Sequence, residues 1–311
     1  MKKMAIIIGS EGQDGRILFD FLLKRDYQLI GIGSGIARSH GLSWKKKVDI
    51  TKEKEVQALI KKIKPDEVYY LAAFHHSAQD KVRDNLRLIE KSFAINFFPV
   101  AYFLEAIRRH SPQSKFFYAA SSLIFGAQAK GKQNEKSSFN PDSFYGISKL
   151  AGLLMCRLYR QKYRVFASVG IFYNHESGFR PAKFISKKII QGALDIKNKK
   201  KKFLKIGDLK ASVDWGYAPD YVKAANEIVL CKNPDDFIVA TGEKHSVLDF
   251  IKVVFSYLNL DWRKHVVEDK NMVLRKRGAA LGDAGKLHRV TGWKPSVSFE
   301  EMIVKIIKEL E

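Results

Sequence analysis

The sequence has little cysteine, no long apolar run and a shortage of acidic residues, and each of these excludes something. Cys156 and Cys231 are its only two cysteines, which give neither a disulfide framework nor metal-site spacing. Free thiols in a reducing compartment, the cytoplasm, are expected, with no bound metal. No apolar run approaches the roughly 18 residues of a membrane span. The N-terminal MKKMAIIIGS passes from an apolar strand into a glycine loop, unlike a signal peptide, so no membrane association is expected. Internal repeats and long low-complexity linkers are also missing. Asp and Glu number 33 against 55 Lys and Arg, a net charge of +22. The lysines are scattered, and the densest run, KNKKKKFLK (Lys197 to Lys205), carries a single aromatic, Phe203, and no recognised binding motif around it. A solvated basic face is therefore expected rather than a nucleic-acid site. The same field suits an anionic small ligand.

What is present is a regular alternation. MAIIIG, YQLIGIG, DEVYYLAAF and SKFFYAASSLIFG read as strands. GRILFDFLLKRD, KEVQALIKKIK and FFPVAYFLEAIRRH read as the amphipathic helices between them. Continuous apolar strands separated by helices predict an α/β fold, a doubly wound parallel sheet of Rossmann type, with ligands beyond the carboxyl ends of the strands. At 311 residues the chain is long for one core. The reading is a dinucleotide-binding domain over 1–174 and a smaller, mainly substrate-binding lobe over 175–311, with the chain crossing back between them.

GSEGQDG, with Gly9, Gly12 and Gly15 around Gln13 and Asp14, joins the first strand to the first helix. Glycines there permit a tight turn and let backbone amides and a helix N-terminus meet a pyrophosphate. Leu71, Ala72 and Ala73 end the DEVYYLAA strand beside this loop. The second strand ends in GIGSGIARSHG, without a carboxylate and with Arg38 a few residues on. NADP is therefore the expected cofactor, with NAD possible. Asp49, followed by Ile50, ends what reads as a short third strand, where a carboxylate can accept from adenine; an exposed turn aspartate is the equal alternative.

FYGISKLAG places Tyr145 and Lys149 four residues apart, on one helical face. An ammonium there stabilises a phenolate and lowers the barrier to proton exchange with a sugar hydroxyl. Ser121, at the end of the strand in YAASSLIFG, supplies a hydroxyl on the same side.

Together GSEGQDG, PDEVYYLAA, SFYGISK, NHES, DWGYAPDYV, ATGEKHSV and GWKPSVSFEE resemble the extended short-chain dehydrogenase/reductase family, in its GDP-mannose 4,6-dehydratase branch, nearly end to end. The resemblance implies a nucleotide-sugar substrate, a GDP-linked hexose, and a homodimer through paired helices. It also implies an internal redox cycle: hydride leaves C4, water is lost across C5 and C6, and hydride returns to C6. Tyr145 would be the base at the C4 hydroxyl, Lys149 its electrostatic partner and Ser121 a hydrogen-bonding partner of the same oxygen, with Asn174 on the nucleotide-sugar.

The pattern breaks at Leu123, where the branch needs a glutamate for elimination. His76 is the candidate acid or base in its place, with His75 and Ser122 beside it on the substrate side. Glu176 in NHES reads as structural. Val213 replaces the arginine expected before DWG, and Arg180, Arg275 and Arg277 are the candidates for diphosphate contacts. The basic loop after the second strand is shortened, which removes support for the branch's tetramer. Two chemistries follow: 4,6-dehydration with a displaced acid/base, or plain 4-ketoreduction or 4-epimerisation, which needs only Ser121, Tyr145 and Lys149. A dinucleotide-binding protein without catalysis has no need of all three.

Overall fold

The apolar runs of the first half become strands of one sheet because side chains on both of their faces are covered by helices. The computed structural model describes residues 2–44, 46–75, 86–127, 131–272 and 281–311; His76, Arg275 and Arg277 lie outside them. The chain runs β1 (Met4–Ile8), α1 (Gln13–Leu23), β2 (Gln28–Ile32), β3 (Arg38–His40), α2 (Glu53–Ile63) and β4 (Glu67–Tyr70). It continues through α3 (Leu86–Asn96), α4 (Phe98–His110), β5 (Lys115–Ser121), β6 (Lys132–Gln133), α5 (Phe144–Tyr163) and β7 (Ala167–Phe172). The sheet has seven strands in the order β12-β7-β5-β4-β1-β2-β3, where β12 spans Asp236–Val239. Every pairing is parallel except that of β3, which turns back antiparallel on β2.

That edge departs from expectation. The segment before Asp49 forms no strand; Arg38–His40 takes the edge, and residues 46–50 pass it with a single bridge between Lys47 and Ile36. The glycine-rich GSG after β2 lets the chain reverse immediately, and a hairpin replaces the crossover a further parallel strand would need.

The second half supplies β8 (Asn174–Glu176), α6 (Ile185–Lys197), β9 (Leu204–Ile206), β10 (Ser212–Val213), β11 (Trp215–Tyr217) and α7 (Ala218–Leu230). After β12 come β13 (His245–Ser246), α8 (Val247–Tyr257), α9 (Trp262–His265), β14 (Val266–Glu268), β15 (Leu281–Gly282), α10 (Gly285–Thr291) and α11 (Phe299–Lys308). A second core forms where Ile189, Trp215, Phe250, Phe299 and Ile303 meet, while Tyr221, Val222 and Trp293 join the core of the sheet. Both α8 and α11 start with a capping box, at Ser246 and Ser298, which fixes where these helices begin.

The DWG and DYV segments act as clamps. Asp220 accepts from the Ser296 backbone N–H and hydroxyl, and its own carbonyl accepts from the Trp293 indole, which ties GWKPS onto α7. Buried Asp214 accepts from the Thr241 N–H and hydroxyl, the Gly242 N–H and the Gly282 N–H. Burial nevertheless pushes its pKa upward, because these bonds do not fully offset desolvation. Asp214→Ala leaves several buried donors unpartnered and is expected to lower stability by about 3 kcal/mol. Urea unfolding checks this, and a midpoint equal to that of the parent chain would refute the clamp.

Candidate active site

The carboxyl ends of β1, β2, β4, β5 and β7 open onto one cleft of about 1270 Å³. Gly9, Gly12, Gly15, Gln13, Asp14, Asp49, Ile50, Leu71, Ala72 and Ala73 all line it. Gly9 has φ +88°, and a Cβ there would stand 2.7 Å from the Ala72 backbone nitrogen. Only glycine lets the loop lie this close to β4, and that approach leaves the N-terminus of α1 facing the cleft. A pyrophosphate fits such a cradle.

The two polar residues after Gly12 also brace the loop. The Gln13 amide donates to the His175 carbonyl at 3.1 Å, and its oxygen accepts from the Ser177 hydroxyl at 2.9 Å. Both Asp14 carboxylate oxygens lie 3.0 Å from Nε2 of His175, whose ring stacks on Tyr221 at 4.6 Å. Burial opposes charge on each partner, yet their mutual attraction wins: the Asp14 pKa falls and the His175 pKa rises. The contact between Asp14 and His175 therefore pins the glycine loop to β8. His175 was unassigned in the sequence although it stands in NHES, because its partner lies 161 residues away.

The far wall is the start of α5. Ser143 caps this helix by accepting from the Gly146 N–H, which fixes the turn carrying Tyr145 and Lys149. Lys149 is only 1% exposed, and its ammonium donates to the Ala119 carbonyl at 2.7 Å. Burial pulls its pKa down to about 7, against the pull of Asp14. Its Nζ stands 5.9 Å from the centre of the half-buried Tyr145 ring. His75 meets that ring edge-on at 4.7 Å and tilts against Phe184 at 5.5 Å.

Ser121 ends β5 in the same cleft, and its hydroxyl oxygen accepts from the Leu123 N–H at 3.3 Å, capping the short 3-10 turn Ser122–Phe125. Ordinary turn-capping and a place in the site thus coincide in one residue. Ser122 and Leu123 line the cleft as well.

On the opposite lip, Asn174 is exposed to the cleft and Val213 contributes an apolar patch. Arg180 reaches the cleft but lies 3.0 Å from Glu176 and covers the Phe184 ring at 3.8 Å. Glu176 also accepts from the Ser186 hydroxyl at 2.6 Å, the structural role read for it. Arg38 is not among the lining residues. Its guanidinium covers Phe19 at 4.1 Å and lies 3.9 Å from Asp20, on the outer side of α1, because β3 turned back on β2. The place read for it at a 2′-phosphate is corrected accordingly. In its stead Glu11, which sequence reasoning passed over, lines the end of the cleft at β2.

The arrangement can hold a dinucleotide across the strand ends, bring a sugar hydroxyl to Tyr145 and move a proton there. A family model described as GDP-mannose 4,6 dehydratase matches residues 6–306. GDP-mannose 4,6 dehydratase 2 of Arabidopsis thaliana is 35% identical over 99% of this chain and 87% of its own length. Among solved structures, dTDP-glucose 4,6-dehydratase from Bacillus anthracis in complex with NAD superposes with a TM-score of 0.82 at 15% identity, covering 98% of this chain and 96% of that one. RMD from Pseudomonas aeruginosa, complexed with NADPH, gives 0.83 at 19% identity, covering 99% and 97%.

Proposed function

The chain belongs to the GDP-mannose 4,6 dehydratase family, and we propose that it is a nicotinamide-dinucleotide-dependent enzyme working at C4 of a nucleotide-linked hexose, in the first place as a 4,6-dehydratase. The observation that carries this reading is the buried Lys149 ammonium beside Tyr145, at the mouth of a glycine cradle. The dinucleotide, NAD or NADP, supplies reversible hydride acceptance when bound.

The chain's own groups handle the protons. Tyr145 takes the proton of the C4 hydroxyl as that carbon is oxidised. Lys149 stabilises the phenolate from within the protein, and Ser121 bonds the same sugar oxygen. Elimination then needs one group to remove the C5 proton and deliver a proton to the departing C6 hydroxyl. Leu123 can do neither. His75 is a titratable ring on the Tyr145 side of the cleft, and this reading gives the step to it.

Leu123 also favours a second reading, 4-ketoreduction or 4-epimerisation, which dispenses with elimination. Turnover of GDP-mannose in deuterated water separates the two. Dehydration is expected to give a 4-keto-6-deoxy sugar labelled at C5, read by mass and NMR. Unlabelled product formed at C4 alone would replace the first reading by the second.

Homodimerisation is part of the proposal: Ile147, Leu154 and Leu158 form an exposed apolar stripe along α5. A second copy of the chain is the partner this reading assigns to it. A reducing, cytoplasmic setting suits the free thiols of Cys156 and Cys231. No helix among the described residues is long and apolar enough to cross a membrane.

A further inference from the structure

We propose that Glu11 makes this cleft select NAD(H) over NADP(H). The inference rests on the reading that the cleft holds a nicotinamide dinucleotide. In a doubly wound sheet the adenosine ribose lies at the carboxyl end of the second strand. A carboxylate there accepts from a free 2′-hydroxyl, whereas a 2′-phosphate needs a cation.

The glycine loop is stitched to that end, since the Gly9 and Ser10 N–H groups donate to the Ile32 carbonyl at 2.8 and 3.1 Å. Glu11 follows directly, and one of its carboxylate oxygens accepts from the Ser34 N–H at 3.0 Å and the Ser34 hydroxyl at 2.8 Å. Gly33 makes room for it: a Cβ at that position would come within 2.3 Å of the Glu11 carboxyl carbon. The carboxylate is thus held over the turn that follows β2, on the cleft wall. Its bonds from Ser34 keep its pKa below the usual range, so it is charged at neutral pH.

Asp49, held ionised chiefly by its bonds from Thr51, adds a second negative charge to the same wall. Lys47 lines this wall too and contributes one opposing charge, and Arg16, whose guanidinium donates to the Glu11 backbone carbonyl at 2.8 Å, contributes another beside the loop. The cation that a 2′-phosphate could have recruited after β2, Arg38, is directed onto Phe19 outside the cleft. A 2′-phosphate dianion would therefore meet the Glu11 carboxylate, and like charges at that range discriminate strongly between ligands.

Calorimetric titration of the full chain with NADH and with NADPH tests this without any sugar turnover. NADH is expected to bind about tenfold to a hundredfold more tightly. Glu11→Gln should reduce that ratio at least about fivefold, mainly by tightening NADPH, while Arg38→Ala should leave NADPH affinity unchanged. Equal or tighter NADPH binding, an unaltered ratio in E11Q, or weakened NADPH binding in R38A would each overturn the selection and leave the dinucleotide reading standing. Binding of neither dinucleotide would overturn both.

Discussion

Tyr145→Phe is expected to reduce turnover of the nucleotide-sugar by at least about a thousandfold while the fold and dinucleotide affinity stay as they were. The substitution removes one oxygen from a half-buried ring. The edge-on contact with His75 at 4.7 Å and the 5.9 Å approach of the Lys149 ammonium involve the ring itself, so phenylalanine retains both. What disappears is the hydroxyl to which the proposed chemistry assigns the proton of the C4 hydroxyl. Without it the alkoxide would have to form unassisted, and the barrier rises by about 4 kcal/mol for a thousandfold loss. Steady-state kinetics, with a melting curve and a NADH titration on the same preparation, check the three parts together. Activity within tenfold of the parent chain would end the proposed chemistry, and lost dinucleotide binding would mean that the hydroxyl holds the cofactor instead.

The sheet strands β1, β2, β4 and β5 were legible because each is a short apolar run with no partner needed to recognise it. The glycine loop and the Tyr145–Lys149 pair were legible because their chemistry lies in local spacing. Arg38 failed for the opposite reason. Its distance from β2 along the chain was right, but a hairpin rather than a crossover turned it onto α1. Glu11 escaped notice because a carboxylate was sought after β2, whereas the structure delivers one to that strand end from the preceding glycine loop, across 23 residues. The Asp14–His175 pair and the four donors gathered by Asp214 likewise join distant segments, and no periodicity announces them. Leu123 is the converse case. Its identity was plain in the sequence, and the structure adds that it lines the same cleft as the His75 ring, which lies against Tyr145.

Lys149→Met is expected to inactivate the protein and at the same time stabilise it. The parent side chain is 1% exposed, with the Ala119 carbonyl accepting its bond at 2.7 Å. Burial brings its pKa from 10.5 down to about 7 in spite of Asp14. That shift is a statement about stability. Between about pH 7 and 10.5 the unfolded chain holds a proton on this lysine that the folded chain has released, so stability rises with pH across that window. Below about pH 7 both states are protonated and the folded state carries the full penalty of a buried cation. The shift corresponds to roughly 5 kcal/mol, an upper bound because a buried site relaxes around its charge. Methionine fills similar space without the charge, and a gain of about 1–4 kcal/mol at pH 6 is expected, shrinking towards pH 9. Turnover should fall by about a hundredfold or more, since the phenolate of Tyr145 loses its electrostatic partner. Chemical unfolding at the two pH values separates the possibilities. A variant less stable than the parent at pH 6 would show that the ammonium is compensated in the folded protein, and that it contributes to stability as well as to catalysis. A gain at pH 6 joined to lost activity would show a site kept at the expense of the fold, which is what a buried cation near the ring of Tyr145 predicts.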